Sequence, residues 1–391
     1  MPLGLYVSVP FCRTKCTFCN FASDVFSRAV FARYVERVSG DLRNSPHLVE
    51  SVGARFDPRV DSMYFGGGTP TVLDTTQLEK LFVTIGQNFE VDGNVEFTVE
   101  CAPGTLNAEM IELFQRSRVN RVSLGVQSFV DEEAASVGRL HRRSIVLDDL
   151  ARLRAAGIEN IGIDLIAGLP HQTSESWQYS LEETIASGVP HVSVYMLEVD
   201  GDSRLGRELI AGGTKYHAHF VPDEDLTADF YEMACERLDE AGIKQYEISN
   251  FAREGQESLH NLKYWTRRPY LGFGVDAHSM LLIDGERAVR FATPESLERF
   301  TSGDFGGVTT ISRETSLEES FFLGLRLMRG VNLRELVTEY GSLEAFAPAV
   351  EESIKDGLLE REGDFVLLTA RGKMLSNEVF ERFISAPLPG I

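Results

Sequence analysis

The sequence has no run of about 18 apolar residues, so it carries no candidate for a membrane-spanning helix. It also lacks an excess of positive charge: 38 Lys and Arg stand against 59 Asp and Glu, a formal balance of −21. Non-specific binding to nucleic acid or to anionic membranes needs basic surface, and this balance disfavours both. It still leaves room for a local basic pocket. No low-complexity stretch and no short internal repeat is present. The opening residues, Met1-Pro-Leu-Gly-Leu-Tyr-Val-Ser-Val9, are too short and too strand-like for a signal peptide. Cysteine is scarce as well, at five residues in 391, and their placement is what makes them informative.

Three of the five, Cys12, Cys16 and Cys19, fall within eight residues in the spacing C-x3-C-x2-C. They cannot pair off as disulfides without leaving one over. Cysteine thiolates ligate iron–sulfur clusters, and three of them hold three irons of a [4Fe–4S] cube, leaving the fourth iron open. A structural zinc site is the rival, but it wants four closed ligands, and no fourth Cys or His lies nearby in the sequence. Free thiols and a cluster both call for a reducing compartment, so a cytoplasmic location is expected. His217 and His219 form an H-x-H pair with no evident further ligands. Cys235, with Phe230 and Leu238, reads as helix core, and Cys101 reads as small-residue packing.

At 391 residues two or three domains are expected. Short apolar runs at Leu3–Val9, Ser62–Phe65, Asn94–Val99, Arg121–Val126, Asn160–Leu165 and Val192–Leu197 suit strands buried on both faces. Between and after them lie amphipathic stretches at Val30–Leu42, Thr76–Asn88, Ala108–Gln115, Ile145–Ala156, Glu175–Ser187 and Asp225–Ala241. Gly157 and Gly242 follow two of these as C-caps. Six β–α units in series predict an α/β domain over 1–245, with a parallel sheet and right-handed crossovers. Periodicity does not separate an open sheet from a partial barrel.

Residues 246–310 read as a β-rich connecting region packed on the mouth of that domain, with strands around Tyr270–Met280 and Leu281–Phe291. From 311 to 391 helices are expected at Ser316–Met328, Leu333–Tyr340 and Ala345–Lys355. A hairpin, Leu358–Arg361 and Phe365–Leu368, then turns at Glu362-Gly363-Asp364, and a helix follows over Ala370–Phe383. This order is that of a winged-helix-like α+β domain, which invites a DNA-binding reading. A DNA reader should be basic. This segment has nine Lys and Arg against fourteen Asp and Glu, and a structural or lid role fits better.

The chemistry-bearing residues follow strand ends. Gly66-Gly67-Gly68-Thr69-Pro70 comes after the second strand, and such glycines let backbone approach a ligand closely. Glu100 ends the third strand and Gln127 the fourth; Arg139 and Asp164 follow. Together they form a rim of acceptors and a cation, suited to ribose hydroxyls and an amino-acid carboxylate. The segment His260-Asn-Leu-Lys-Tyr-Trp265 adds an imidazole, able to ligate haem iron, and aromatic rings able to stack on a porphyrin. It reads equally as a hydrogen-bonded loop histidine beside a core tryptophan.

The C-x3-C-x2-C spacing and the glycine motif resemble those of the radical SAM enzymes, and the resemblance to the coproporphyrinogen III oxidase-like branch runs nearly end to end. It implies a partial (β/α)6 TIM barrel. It further implies that S-adenosylmethionine (SAM) chelates the open iron through its amino and carboxylate groups. In this family the reduced cluster cleaves SAM to a 5′-deoxyadenosyl radical. The SAM residues implied by motif are Tyr6, Gly67, Gly68, Thr69, Glu100, Gln127, Arg139 and Asp164, with Cys12, Cys16 and Cys19 on the cluster. Asn20 and Ala102 depart from the Asp and Asn common in the family.

Two subfamilies part here. The true oxygen-independent oxidases, HemN, carry an extra Cys where this chain has Phe21, and a substantial N-terminal extension before the residue matching Tyr6. The haem chaperones, HemW, lack both and carry H-N-x-x-Y-W, as this chain does at 260–265. Resemblance to that subfamily implies haem as a ligand, with His260 as its residue, and an acceptor protein for the haem. A reductant such as a flavodoxin or ferredoxin is a further expected partner. The alternatives are decarboxylation of coproporphyrinogen III and radical SAM chemistry on another substrate.

Overall fold

The computed structural model describes residues 1–283, 287–304 and 306–384. Six parallel strands form its centre: β1 (Leu3–Val9), β2 (Arg59–Gly67), β3 (Glu90–Cys101), β4 (Arg121–Gln127), β5 (Asn160–Ala167) and β6 (His191–Met196). They lie side by side in chain order. Each run expected from the sequence is therefore a strand, because apolar side chains on both faces are satisfied only between layers. β1 and β6 do not pair with each other, so the sheet is a partial barrel and does not close.

Beyond β6 further strands extend the sheet at both ends. A hairpin, β7 (Lys244–Glu247) and β8 (Asn250–Ala252), runs antiparallel beside β6. At the other end β9 (Tyr270–Gly274) is parallel to β1, and β10 (His278–Leu282), β11 (Ala288–Ala292) and β12 (Val308–Ile311) continue antiparallel. The result is one sheet of twelve strands. The region expected around Tyr270–Met280 holds β9 and most of β10, and that around Leu281–Phe291 holds the end of β10 and most of β11; residues 284–286 lie outside the described residues.

The helices occupy Phe31–Ser51, Thr75–Asn88, Ala108–Arg116, Arg143–Ala155, Ser174–Ala186 and Glu224–Glu240. Gly157 and Gly242 close two of them with φ of +81° and +73°, the left-handed geometry of a C-cap. The first helix runs nine residues past its expected end, through Pro46. Proline removes the amide that would pair with the carbonyl one turn back. Here the Ser45 hydroxyl donates to that carbonyl, Leu42 O, at 2.9 Å, so the helix continues.

The C-terminal segment has its own core around Phe321, with Phe383 stacked at 4.8 Å and Phe346 at 5.0 Å. Its sheet is β13 (Val331–Asn332), β14 (Leu359–Glu362) and β15 (Phe365–Leu368), with β15 central. The last predicted helix is two, Ala370–Met374 and Ser376–Glu381, divided at Leu375; residues 385–391 lie outside the described residues. Polar ties bind this segment to the large sheet. Glu319, 4% exposed, accepts from Arg267 and Arg290, both at 2.9 Å. Arg326 reaches Glu247 at 3.3 Å and lies over the Trp265 ring at 4.3 Å. Among the described residues no helix is long and apolar enough to cross a membrane.

Candidate functional site

The parallel strands deliver their polar residues to one end, as open α/β sheets do. The loop after β1 carries Cys12, Cys16 and Cys19, all three with free thiols. It is fastened from several directions. The Thr14 hydroxyl donates to Gly138 O at 2.9 Å, Thr17 N to Val137 O at 3.1 Å and Leu205 N to Thr17 O at 2.8 Å. Arg204 also donates to Lys15 O. Burial pushes the thiols of Cys12 and Cys16 up; the charge of Cys19 adds to both, and that of Cys16 adds to Cys12. Arg139 and Arg204 work the other way on Cys16, favouring its thiolate.

Among the described residues no three His, Cys, Asp or Glu side chains converge on one point, as a single metal ion would need. A four-iron cube gives each thiolate its own iron, so its ligands stand apart. The H-x-H pair offers no such site either, since His217 Nδ1 hydrogen-bonds His171 Nε2 at 2.8 Å.

The glycine loop closes over this region with very little space. A methyl group on Gly66 would meet the Glu100 carboxyl at 2.8 Å. Gly67 has φ +93° and faces the Ser8 hydroxyl, and a methyl on Gly68 would stand 3.1 Å from Cys12 Sγ. Backbone bonds stitch the two loops together: Gly68 N to Val9 O and Thr69 N to Phe11 O, each 2.8 Å. Thr69 also hydrogen-bonds Cys12.

The structure brings the predicted rim residues to this same end. Glu100 accepts from the Tyr64 hydroxyl at 2.7 Å. Burial pushes its carboxyl up to about 7; Asp164 adds to the rise, while Tyr64, the Gly67 amide and Arg139 oppose it. Asp164 accepts from Ser123 at 3.1 Å and is also raised, chiefly by burial. The Arg139 guanidinium and the Gln127 amide both stand 3.0 Å from where Gly125 would carry a Cβ. Gln127 itself takes φ +68°, uncommon for a residue with a side chain. Arg139 Nε is buried without a hydrogen-bond partner, an unusual state for a cationic donor. Tyr6 lies beside Tyr64, with ring centroids 6.0 Å apart.

His260 belongs to a helix, Leu259–Trp265, where a loop histidine was one of the two readings. Glu96 caps the start of that helix, accepting from Leu259 N at 2.8 Å and His260 N at 2.9 Å. The imidazole is 1% exposed. Its Nδ1 meets Ser62 Oγ at 3.1 Å and its Nε2 meets Tyr264 Oη at 2.9 Å. Burial and the nearby Lys263 push it down to about 3, so it is neutral in the folded protein. As placed, neither ring nitrogen is free for an iron. The ring also stacks on Tyr64, centroids 5.3 Å apart.

Sequence reasoning did not single out Ser8, Tyr64, Ser123 or Arg204. Tyr64 alone left a signal, a polar-tipped residue in an apolar strand two positions before the glycines. Arg204 follows a loop with no motif, and only the fold carries it to the cysteines.

The pH behaviour of Glu100 is open to measurement. Its carboxyl is raised from an ordinary 4.5 to about 7, so the unfolded chain gives up this proton first. Stability therefore falls as pH rises from 4.5 to 7 and stays lower above. One pKa unit corresponds to about 1.4 kcal/mol. Glu100→Gln is expected to stabilise the ligand-free protein at pH 8 by up to ~3 kcal/mol, with the gain shrinking towards pH 4.5. Denaturant midpoints at the two pH values check this; a Gln variant less stable at pH 8 contradicts it.

Comparison with known proteins agrees with this arrangement. Residues 6–184 match the radical SAM superfamily, and residues 311–375 match the HemN C-terminal domain. The heme chaperone HemW of Bacillus subtilis is 34% identical over 97% of this chain and 98% of its own length. Its namesake from Escherichia coli is 29% identical, over 98% of each chain. Among solved structures, the coproporphyrinogen III oxidase HemN of Escherichia coli superposes with a TM-score of 0.82 at 23% identity, covering 98% of this chain and 90% of that one. That likeness carries the fold. The motif at 260–265 and the near full-length identity carry the rest: the chain belongs to the HemW family of radical SAM proteins.

Proposed function

We propose that this protein is a haem chaperone that holds a [4Fe–4S] cluster and SAM and passes haem to an acceptor protein. The observation that carries the reading is identity at the 34% level, end to end, with a protein named as a heme chaperone. Cys12, Cys16 and Cys19 would hold the cluster. Gly67, Gly68 and Thr69 would cradle SAM, with Tyr6 alongside. Arg139, whose buried Nε lacks a partner, would take its carboxylate. Glu100, Gln127 and Asp164 would accept from its hydroxyl and amino groups. When bound, the reduced cluster supplies an electron to SAM. The chain's own part is to orient SAM by two carboxyls and a cation and to exclude water behind Tyr6 and Tyr64.

Conversion of coproporphyrinogen III is the weaker reading, because Phe21 stands where the oxidase resemblance places a Cys. Phe21 is 64% exposed and supplies no thiol. A reductant such as flavodoxin or ferredoxin, and a cytoplasmic setting that keeps the thiols reduced, complete the proposal. The test is an anaerobic assay of the reconstituted protein. Haem should bind with a shifted Soret band, and coproporphyrinogen III with SAM and reductant should release no CO2. Decarboxylation at the rate of a true oxidase would overturn the chaperone reading.

A further inference from the structure

The cysteine loop has polar neighbours that the SAM rim does not use. Residues 200–220 run along it as a strap. Asn20 Nδ2 donates to Asp200 Oδ2 at 2.6 Å; an aspartate at position 20 would set two like charges there instead. The chain then turns tightly, since a methyl group on Gly206 would collide with Asp200 O. Ser203 caps the short helix Arg204–Ile210, its hydroxyl accepting from Gly206 N at 2.8 Å. This turn lays two consecutive residues against the loop. Arg204 donates to Lys15 O, and Leu205 N donates to Thr17 O at 2.8 Å. Their two acceptors are the carbonyls on either side of Cys16 in the chain.

Two donors beside Cys16 are left over. Arg204 Nε and Thr17 Oγ1 are both buried and have no hydrogen-bond partner among the described residues. Thr17 is 7% exposed, and its backbone is already spent on Val137 O and Leu205 N. The Arg204 guanidinium lies over the Tyr216 ring at 5.8 Å, a contact that uses its face and none of its N–H groups. Buried donors are ordinarily paired. Two unpaired ones at a single thiol point to an acceptor that arrives with the cluster.

We propose that Arg204 and Thr17 are the groups that tune the iron–sulfur cluster, with Arg204 Nε–H and the Thr17 hydroxyl as donors towards its sulfurs at Cys16, and that they raise its reduction potential. The inference rests on the placement of the cluster on Cys12, Cys16 and Cys19. It adds what sets how readily that cluster is reduced. One electron from the reductant adds one negative charge and no proton. Hydrogen bonds to the sulfurs and a cation nearby stabilise the added charge, and both raise the potential. Burial strengthens the effect, because little water stands between the charges. The same guanidinium already favours the Cys16 thiolate over its thiol. Arg139 acts in the same sense on Cys16, but its free donor faces the demand of the SAM carboxylate, whereas Arg204 has no such second claim.

The experiment is a spectroelectrochemical titration of the reconstituted full-length protein without SAM, with iron and sulfide measured on the same samples. Arg204→Ala should keep its iron and lower the midpoint potential. The ratio of reduced to oxidised cluster at a fixed applied potential should fall at least about tenfold, a shift of about 59 mV for one electron. Thr17→Val keeps the shape, removes the hydroxyl and should lower the potential by less; Thr17→Ser should restore it. Arg204→Lys keeps the charge without the Nε–H and should fall between Ala and wild type. Arg207→Ala removes a cation from the same helix, but an exposed one that solvent screens, and should leave the potential where it was. If Arg204 were only a structural tie, its loss would admit water, which also stabilises added charge, so the direction of the shift separates the two roles. An unchanged or higher potential in iron-loaded Arg204→Ala would overturn the assignment. Should Arg204→Ala take up less iron, Arg204→Lys and Thr17→Val decide, and unchanged potentials in both would overturn it equally. Wild type that takes up no iron would remove the cluster itself, an outcome that iron analysis tells apart from a shifted potential.

Discussion

Replacing Cys12, Cys16 and Cys19 together by alanine is expected to abolish iron and sulfide uptake on anaerobic reconstitution, where wild type should take up four irons per chain. The three residues lie on one loop tied to Gly138 through the Thr14 hydroxyl and to Val137 and Leu205 through the Thr17 backbone, so the loop should persist without them. Thermal unfolding of the cluster-free variant should therefore stay near that of cluster-free wild type. Burial disfavours the Cys12 and Cys16 thiolates in the absence of metal, and alanine removes that tension. Arg139→Ala provides the contrasting outcome: iron retained, SAM binding weakened by tens-fold or more, since loss of one partner of a desolvated charge pair costs ~2–5 kcal/mol. Full retention of iron by the triple variant would end the cluster assignment. Unchanged SAM affinity in Arg139→Ala would end the placement of its carboxylate.

The second large effect is one of stability. Glu319→Ala is expected to lower unfolding free energy by ~3–5 kcal/mol, the usual cost of leaving a buried charge without its partner. Arg267 is only 10% exposed. It spends its other nitrogens on Tyr340 Oη and Ser316 Oγ, each at 2.9 Å, and neither can balance its charge. Arg290, 38% exposed, can turn to solvent and should contribute little. Denaturant melts of the cluster-free protein measure the difference; a loss below about 1 kcal/mol, the scale of a surface ion pair, would mean that water reaches Arg267. The substitution should also loosen the helix Leu259–Trp265, because Arg267 follows it directly and anchors it to the C-terminal core.

How much of this could be read from the chain depends on the range of the forces involved. The six central strands were legible because burial on both faces leaves a continuous apolar run. The cysteine and glycine motifs were legible because one loop holds each. The first helix was read only to Leu42, and the Ser45 side-chain bond that accompanies its passage through Pro46 is one that no periodicity records. The extension of the sheet beyond β1 was hidden, because nothing in Tyr270–Gly274 says that its partner is Leu3–Val9. His260 shows the limit most clearly. Its Nδ1 partner, Ser62, is 198 residues away, and its cap, Glu96, is on a different strand. The distant Ser62 engages Nδ1 and the neighbouring Tyr264 engages Nε2, contacts that the motif alone does not announce.

The close seam between the glycine loop and the cysteine loop has a thermodynamic consequence. Gly68 N and Thr69 N bind the backbone at Val9 and Phe11, and no side chain fits between Gly68 and Cys12. The two loops therefore order as one cooperative unit. Whichever of cluster and SAM arrives first pays the entropy of fixing that unit, and the second arrives at a surface already set. By linkage, the factor by which the cluster tightens SAM is the factor by which SAM tightens the cluster. Scarcity of either one therefore weakens the hold on the other by the same factor.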